Sequence, residues 1–389
     1  MTSAGPLDGV TVVDLTRALA GPHAGMMLGD MGARVIKVET PGKGDDTRGW
    51  GPPFVGPNEE IATYYLSCNR NKESITLDLK SDDGKQVLTK LIEKSDVLLE
   101  NFRTGVLDRL GFSMEQIQEI NPRMVILSIT GFGHDGPQTG RAGYDQIAQG
   151  EAGLMSMTGP NPQTPTKVGV PIADLLSGMY GAYGVVSALY ERERTGRGKV
   201  IRTSLLASVI GVHAFQGTRW TVGKDLPKAE GAFHPSVSPY GLFSSADGLV
   251  QIAVGAESQW QKFAPAFGFE PNDPAYATNG DRVRNNAQLI PAINQAFSAY
   301  STPDLLAKLN ELGIPCGEVK DLQQVYEWDQ VRSQGLVIDV EHPVLGQIEL
   351  PGPPLRMFDG ESEWKREHTA PPELGADNDA VRAWLGLDA

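Results

Sequence analysis

Val10-Thr-Val-Val-Asp14, then Pro22 to Met31, then Arg34-Val-Ile-Lys-Val-Glu39 is the stretch that decides the fold. Two short runs rich in β-branched residues flank a segment of helical texture, so it reads strand, helix, strand. The alternation continues downstream. Lys85 to Lys94 is helical, Asp96-Val-Leu-Leu-Glu100 a strand, Met114 to Ile120 helical and Met124-Val-Ile-Leu-Ser-Ile129 a strand. That order predicts βαβ units: an α/β, Rossmann-like large domain on a mostly parallel sheet. Ligands of such sheets bind in the crevice beyond the strands' carboxyl ends. The loops expected there are Leu15–Gly21, Thr40–Phe54, Asn101–Gly105 and Thr130–Gly143.

After residue 200 the texture changes. Tyr240-Gly-Leu-Phe243 and Leu249-Val-Gln-Ile-Ala-Val254 read as a β-hairpin with Asp247-Gly248 in its turn. Helical patterns follow at Gln259–Phe267, Leu289–Tyr300 and Pro303–Leu312, which suggests a smaller α+β domain. Val337-Ile-Asp-Val-Glu341 and Gln347-Ile-Glu-Leu350 form a second hairpin candidate. The expected division is a large domain over 1–205, rejoined by 330–389, and a small domain over 235–320. Residues 206–234 and 321–335 would link the two.

The 389 residues exceed one ordinary domain, and 40% hydrophobic with 21% charged residues fits a soluble globular enzyme. A net charge of −14 argues against a nucleic-acid partner and against an anionic membrane surface. No apolar run approaches a membrane span, and the N-terminus carries no signal or transit pattern. The two cysteines, Cys68 and Cys316, give neither a disulfide framework nor a metal-ligand spacing. A cytoplasmic protein without metal or resident cofactor is the expectation.

Asp174 is the leading chemical candidate. Val168-Gly-Val-Pro-Ile-Ala-Asp174 carries a Pro-rich loop into a helix. Leu175, Leu176, Met179, Tyr180, Tyr183, Val186, Leu189 and Tyr190 then recur at helical spacing. Gly178, Gly181 and Gly184 each cost this helix about 1 kcal/mol against Ala, which points to another backbone close by. Asp174 reads as the helix N-cap, and compatibly as a carboxylate that the helix start stabilises and holds in place for chemistry.

Other motifs are weaker. Gly131-Phe-Gly-His-Asp-Gly136 matches the dinucleotide pattern, but Pro137 follows and no acidic residue closes a strand about 20 residues on. An active-site flap is the better reading. His23 and His134 lie on crevice loops and read as hydrogen-bonding loop residues. Arg17, Lys37, Lys43, Arg48, Arg70, Lys72, Arg103 and Arg109 gather near the crevice and together fit a phosphate-bearing ligand.

Taken in order, these segments resemble the family III CoA-transferases. The resemblance spans nearly the whole chain: Pro6 to Arg17, Ala20-Gly-Pro22, Gly32 to Glu39, Pro41 to Arg48, Asn69 to Ile75, Glu100-Asn-Phe102, Gly143-Tyr-Asp145 and Thr195-Gly-Arg-Gly198. It implies that Asp174 is the catalytic nucleophile, forming mixed anhydrides and an aspartyl-CoA thioester. It implies Asn101, Phe102 and Arg109 at the CoA site, with Lys72 near the nucleotide phosphates. Leu19, Arg48, Gly131, Gly133 and Tyr144 would form the acyl pocket or its lid. Leu19 stands where the formyl-CoA enzymes carry glutamine, which turns the expectation away from oxalate, and the segments Asp45 to Gly56, Tyr64-Tyr-Leu-Ser67 and Thr130-Gly-Phe-Gly133 look closer to the succinyl-CoA-dependent dicarboxylate branch. Acyl-CoA and carboxylic acids would be the substrates. The family's assembly implies an interlocked homodimer of ring-like chains, crossing through about 210–234 and 321–335. Two other readings remain at this stage. One is an α-methylacyl-CoA racemase on the same fold, disfavoured because Tyr144 replaces its histidine. The other is a non-catalytic acyl-CoA binder.

Overall fold

The computed structural model describes residues 5–387. Its main sheet has six strands: β1 (Thr11–Asp14), β2 (Arg34–Glu39), β3 (Lys72–Thr76), β4 (Val97–Glu100), β5 (Val125–Thr130) and β6 (Val200–Ser204). They run parallel in the order β3-β2-β1-β4-β5-β6. The chain therefore builds outward from β1 in one direction, then returns and builds outward in the other. The place where that direction reverses, between β1 and β4, is where a doubly wound sheet leaves a crevice.

Residue alternation along the strands explains the two covered faces. Val12, Val35, Val97, Leu99, Val125 and Leu127 face one apolar cluster, and Val13, Ile36, Leu98 and Ile126 face the other. Each is essentially inaccessible to water. Full burial of such a side chain stabilises by about 1.5–3 kcal/mol. The first face is covered by helices α1 (Ala20–Asp30) and α5 (Ile172–Thr195), the second by α2 (Asp82–Lys94) and α3 (Met114–Ile120). Helix α4 (Asp145–Glu151) precedes α5, and α6 (Leu205–Gly211) follows β6.

Of the α5 glycines, Gly178 has the expected cause, a backbone close by, whereas Gly181 and Gly184 make room for the side chains of Leu127 and Ile201. A Cβ on Gly178 would lie 2.7 Å from the Ala20 carbonyl oxygen, and one on Gly181 would lie 2.6 Å from Leu127. Helix α5 is also long and apolar enough to cross a membrane by length and composition. That corrects the expectation that no segment approaches a span. Its packing makes it a core helix: Ala173, Ser177, Gly178, Gly181, Ala182, Val185, Ala188 and Leu189 are buried on the sheet. Near its end Arg192 pairs with Asp96 at 3.0 Å.

The chain divides into two compact units. The first holds the described residues up to Leu154, then Lys167–Asp225 and the chain from Asp329 onward. Within it, Val381 and Leu385 of the helix Asn378–Leu385 join the core beside Ile75, and the Asp377 carboxylate accepts the Ser74 N–H at 2.7 Å. The second unit holds Met155–Thr166 and Leu226–Trp328. Its hairpin pairs Tyr240–Ser244 with Leu249–Ala253, and Cys316–Glu318 adds a third antiparallel strand. Trp260, Phe263, Phe297 and Leu305 from its helices fill the core beneath. Residues 206–225 are mostly helical, at α6 and Ala214–Thr221.

Candidate active site

A cleft of about 590 Å³ opens beyond the carboxyl ends of β1, β4 and β5. Arg17 to Ala20 follow β1 into it, Asn101 to Thr104 follow β4, and Thr130, Gly131 and Gly133 follow β5. Tyr144, Asp145, Pro171 and Asp174 close the remaining side. The cleft lies at the reversal of strand order, where the parallel-sheet reading put it.

Asp174 is on the first turn of α5, but it is not the cap. The N-cap is Pro171, which has no capping side chain. Asp145, the first residue of α4, does that work from another element. Its Oδ1 accepts the Ala173 N–H at 2.8 Å and the Asp174 N–H at 3.4 Å. Its Oδ2 accepts from Gln149 Nε2 at 2.7 Å, and Gln149 Oε1 takes the Val168 N–H at 2.9 Å. The donors that would have stabilised Asp174 are therefore taken up. Burial, and after it the Asp145 charge, push the Asp174 carboxyl up to about 7. This corrects the sequence reading, in which the helix start stabilises that carboxylate. Asp145 lines the cleft beside Asp174, and residue-level reading does not single it out. It lies 29 positions from Asp174 in sequence, and no local pattern links the two.

The loop after β1 is fixed by a buried lattice of charges. Lys37 pairs with Asp45 at 2.8 Å and donates to the Thr16 carbonyl at 2.9 Å. Lys72 donates to Asp14 at 3.0 Å, to the Pro22 carbonyl at 2.8 Å and to Asn69 at 2.9 Å. Burial alone would raise the Asp14 carboxyl; Lys72 and Lys37 hold it below its ordinary value. Asp45 accepts the Ala18 N–H at 3.2 Å and holds Ala18 at a left-handed φ of 64°. That conformation costs an L-residue about 1–2 kcal/mol, and it turns Leu19 into the cleft wall.

This lattice accounts for half of the cation cluster noted in the sequence: Lys37, Arg48, Arg70 and Lys72. Arg70 pairs with Asp30 at 2.6 Å, and Arg48 pairs with Glu39 at 2.7 Å and bonds to the Tyr65 hydroxyl at 2.6 Å. All three ammonium donors of Lys72 are used. The structure thus places Lys72 and Arg48 in the frame beneath the cleft, not in its wall. As a group the cations are not a phosphate site, because Asp14, Asp30, Glu39 and Asp45 face them. Arg17 and Arg103 do line the cleft. Arg17 donates to Thr40 at 3.0 Å and lies 5.7 Å from the Phe102 ring centroid.

Asn101 clasps the loop after β1: its Oδ1 takes the Arg17 N–H at 2.9 Å and its amide donates to the Arg17 carbonyl at 2.8 Å. Phe102 lines the cleft, whereas Arg109 is exposed on the turn Val106–Arg109 and is not part of the wall. Tyr144 lines the cleft rim and is 67% exposed. Trp50 and Tyr64, an edge-on pair 5.2 Å apart, add an aromatic wall; they lie in the segments that carry the branch resemblance, though neither is named there as a site residue. Burial, then the nearby Asp174, push the Tyr64 phenol up to about 12, so it keeps its proton. His23 packs against Gly178 outside the cleft wall, and burial with Arg70 and Lys72 lowers it to about 4.

Comparison with known proteins gives a consistent result. The family model for CoA-transferase family III matches residues 7–378. Human succinyl-CoA:glutarate CoA-transferase is 39% identical over 376 residues, covering 96% of this chain and 84% of that protein. The succinate–glutarate CoA-transferase of Agrobacterium fabrum is 39% identical over 341 residues, covering 86% of this chain and 85% of its own length. A crystal structure of a CaiB/BaiF family protein from Brucella suis superposes with a TM-score of 0.87 at 38% identity, covering 98% of this chain and 100% of that one.

Proposed function

The chain belongs to CoA-transferase family III, and we propose that it moves CoA from succinyl-CoA to a second dicarboxylic acid through a covalent intermediate on Asp174. The observation that carries this reading is a cleft-lining carboxyl, raised to about 7, on the first turn of a helix whose free N–H groups are held by another residue. Such a group is a stronger nucleophile than an ordinary aspartate.

The Asp174 carboxylate attacks the succinyl thioester carbonyl, the C–S bond breaks, and CoA leaves as the thiolate. The thiolate attacks the Asp174 side of the resulting anhydride and expels succinate, leaving an aspartyl-CoA thioester. The acceptor carboxylate attacks that thioester and releases the thiolate again. The thiolate then attacks the acceptor carbonyl of the second anhydride and frees the Asp174 carboxylate. No proton is consumed overall. Water would hydrolyse either intermediate, so it must be excluded; the loop bearing Gly131 and Gly133 is the proposed lid.

Asn101 and Phe102 contact the CoA moiety, joined by Arg17 and Arg103 at the phosphates, and Arg109, outside the cleft wall, meets the part of CoA that extends beyond the cleft. Leu19 and Tyr144, with Trp50 and Tyr64, bound the acyl group. Lys72 and Arg48 act through the loops they hold. The choice of succinyl-CoA and a dicarboxylate is supported by the named activities of the two relatives. The active form is an interlocked homodimer, supported by apolar side chains left exposed on α5 and after α6: Tyr183 is 74% exposed, Tyr190 70% and Val222 79%. Surfaces of that kind mark association sites. A cytoplasmic location goes with the two free cysteines.

The test is incubation with succinyl-CoA and a panel of mono- and dicarboxylic acids, reading new CoA thioesters by mass spectrometry. Dicarboxylyl-CoA products are expected, glutaryl-CoA among them. Stoichiometric succinyl-CoA binding without exchange onto any acid would refute the reading. Sedimentation at nanomolar protein tests the interlocked dimer, which reversible release of folded monomer rules out.

A further inference from the structure

Glu100, Ser128 and His134 form a hydrogen-bonded chain that the transfer chemistry does not use. Glu100 closes β4, and its register partner on β5 is Ser128. Ser128 Oγ bonds to Glu100 Oε1, and His134 Nε2 lies 2.7 Å from the same Oγ. Glu100 Oε2 accepts the Phe102 N–H at 2.9 Å. Both Glu100 and Ser128 are buried. One end of the chain is therefore the turn that puts Asn101 and Phe102 into the cleft.

The other end is the glycine loop between β5 and α4. The loop is pinched at its base, where a Cβ on Gly131 would lie 2.8 Å from the Gly143 Cα. The Gly131 carbonyl also accepts the Leu206 N–H at 3.1 Å. From 135 to 141 the loop is exposed. His134 stands between those parts, and Gly133, beside it, lines the cleft. Besides its base the loop is tied by Arg141, which pairs with Glu151 at 2.6 Å and lies over the buried Phe132 ring; without a tie between those anchors the exposed stretch would sample many widths of the opening. The His134 bond fixes one of them.

We infer that His134 is a positioning residue: through Ser128 it pins the glycine loop to the Glu100–Phe102 turn and so sets the width of the cleft that takes the acyl-CoA thioester. The inference rests on the acyl-CoA reading of that cleft. Ser128 has one hydroxyl proton. With Glu100 ionised, that proton goes to the carboxylate, and His134 donates through Nε2–H. The charged groups around the chain are Arg202 on β6, Asp135 on the loop itself, Glu100 at the far end and Asp108 beside Glu100. Burial and then Arg202 lower the His134 imidazole, with Asp135 opposing. A released loop would restore the ordinary imidazole value of about 6.5. Acid therefore favours release, and the pin holds at neutral pH.

Two variants test this. His134→Ala removes the pin; His134→Gln places an amide N–H near the Nε2 position and restores it. In His134→Ala the KM for succinyl-CoA is expected to rise about tenfold, the size of one lost hydrogen bond of about 1.4 kcal/mol, with kcat within about twofold. His134→Gln should return KM to within about threefold of wild type. Below pH 6.5 the wild-type KM should climb more steeply than that of His134→Gln. Amide exchange over residues 131–139, read without substrate, should quicken in the Ala variant and recover in the Gln variant. Equal exchange in all three proteins overturns the pin itself. A His134→Ala KM equal to wild type, or a Gln variant no better than Ala, overturns its role in binding. Failure of the wild type to transfer CoA at all would instead sink the acyl-CoA reading, while the exchange measurement still judges the pin.

Discussion

Replacing Asp145 by Asn should separate its two effects on Asp174. Asn keeps an oxygen that can accept the Ala173 N–H, so the start of α5 stays capped, but the negative charge is gone. Asp145 Oδ1 is 3.4 Å from the backbone nitrogen of Asp174, which holds the two carboxylates within roughly 7 Å. Unit charges at that separation repel by about 1–2 kcal/mol at an effective dielectric between 20 and 40, about one pKa unit. Burial is the larger cause of the shift and remains, so the carboxyl should come down only part of the way from about 7. The nucleophile is the ionised form, so wild-type kcat/KM should fall as pH drops through about 7. In Asp145→Asn that fall should move to lower pH by about one unit. The ionised fraction at pH 6 would then rise about fivefold. The plateau at high pH should drop modestly, because a weaker base is a weaker nucleophile. The assay is a pH–rate profile of succinyl-CoA consumption from pH 5 to 9. An acid limb that stays in place, or moves upward, refutes the account of Asp145. Asp145→Ala loses the cap as well and should cost about 1 kcal/mol of stability in denaturant titration.

Three further outcomes are expected. Asp174→Ala should lower CoA exchange at least about a thousandfold while leaving succinyl-CoA affinity nearly unchanged in a binding titration. Its melting temperature should exceed wild type more at pH 8 than at pH 4, because a carboxyl raised in the fold opposes folding once pH passes through about 7; near wild-type turnover removes Asp174 as nucleophile. Lys37→Met would leave Asp45 buried without its ammonium and Asp14 with Lys72 alone, a loss of about 3–5 kcal/mol by urea unfolding, and a change below about 1 kcal/mol would show that the lattice does not hold the loop. Gly178→Ala sets a helix-propensity gain of about 1 kcal/mol against a Cβ 2.7 Å from the Ala20 carbonyl; overpacking of about 1–3 kcal/mol should win, and a stabilised variant would contradict the close approach of α1 and α5.

The parts of the fold visible in the sequence are those where burial on both faces selects aliphatic residues. β1, β2, β4 and β5 were found within a residue or so of their ends for that reason. β3 was not, because Lys72-Glu-Ser-Ile-Thr76 carries a single aliphatic residue. Its buried positions Lys72 and Ser74 are polar, since they bond to Asp14 and Glu39. β6 was missed as a polar edge strand, Val200-Ile-Arg-Thr-Ser204. The same limit applies to the site. Strand ends and post-strand loops located the crevice, the helix start singled out Asp174, and the resemblance implied its role as nucleophile. Which cations would meet carboxylates could not be read, because those pairs join a strand to a loop, a loop to a helix end, or β3 to β1 across β2, and no local pattern links their members.

The geometry around Asp174 suits a carrier that must both attack and leave. A carboxylate served by open helix N–H groups would be stabilised as the anion and would attack a thioester poorly. Here Asp145 holds the Ala173 and Asp174 N–H groups, and its charge faces Asp174 as well. The free enzyme therefore carries repulsion that disappears when Asp174 becomes an anhydride or a thioester, since neither is charged. Relief of about 1–2 kcal/mol, the Coulomb estimate above, favours acylation by roughly tenfold. The same term opposes return of the free carboxylate, so it helps one half of the cycle and hinders the other. In the proposed mechanism its net effect is to raise the population of the covalent states relative to the free enzyme. That is useful only where water is kept from them, which makes the proposed closure of the glycine loop and the charge on Asp145 two requirements of one proposed design.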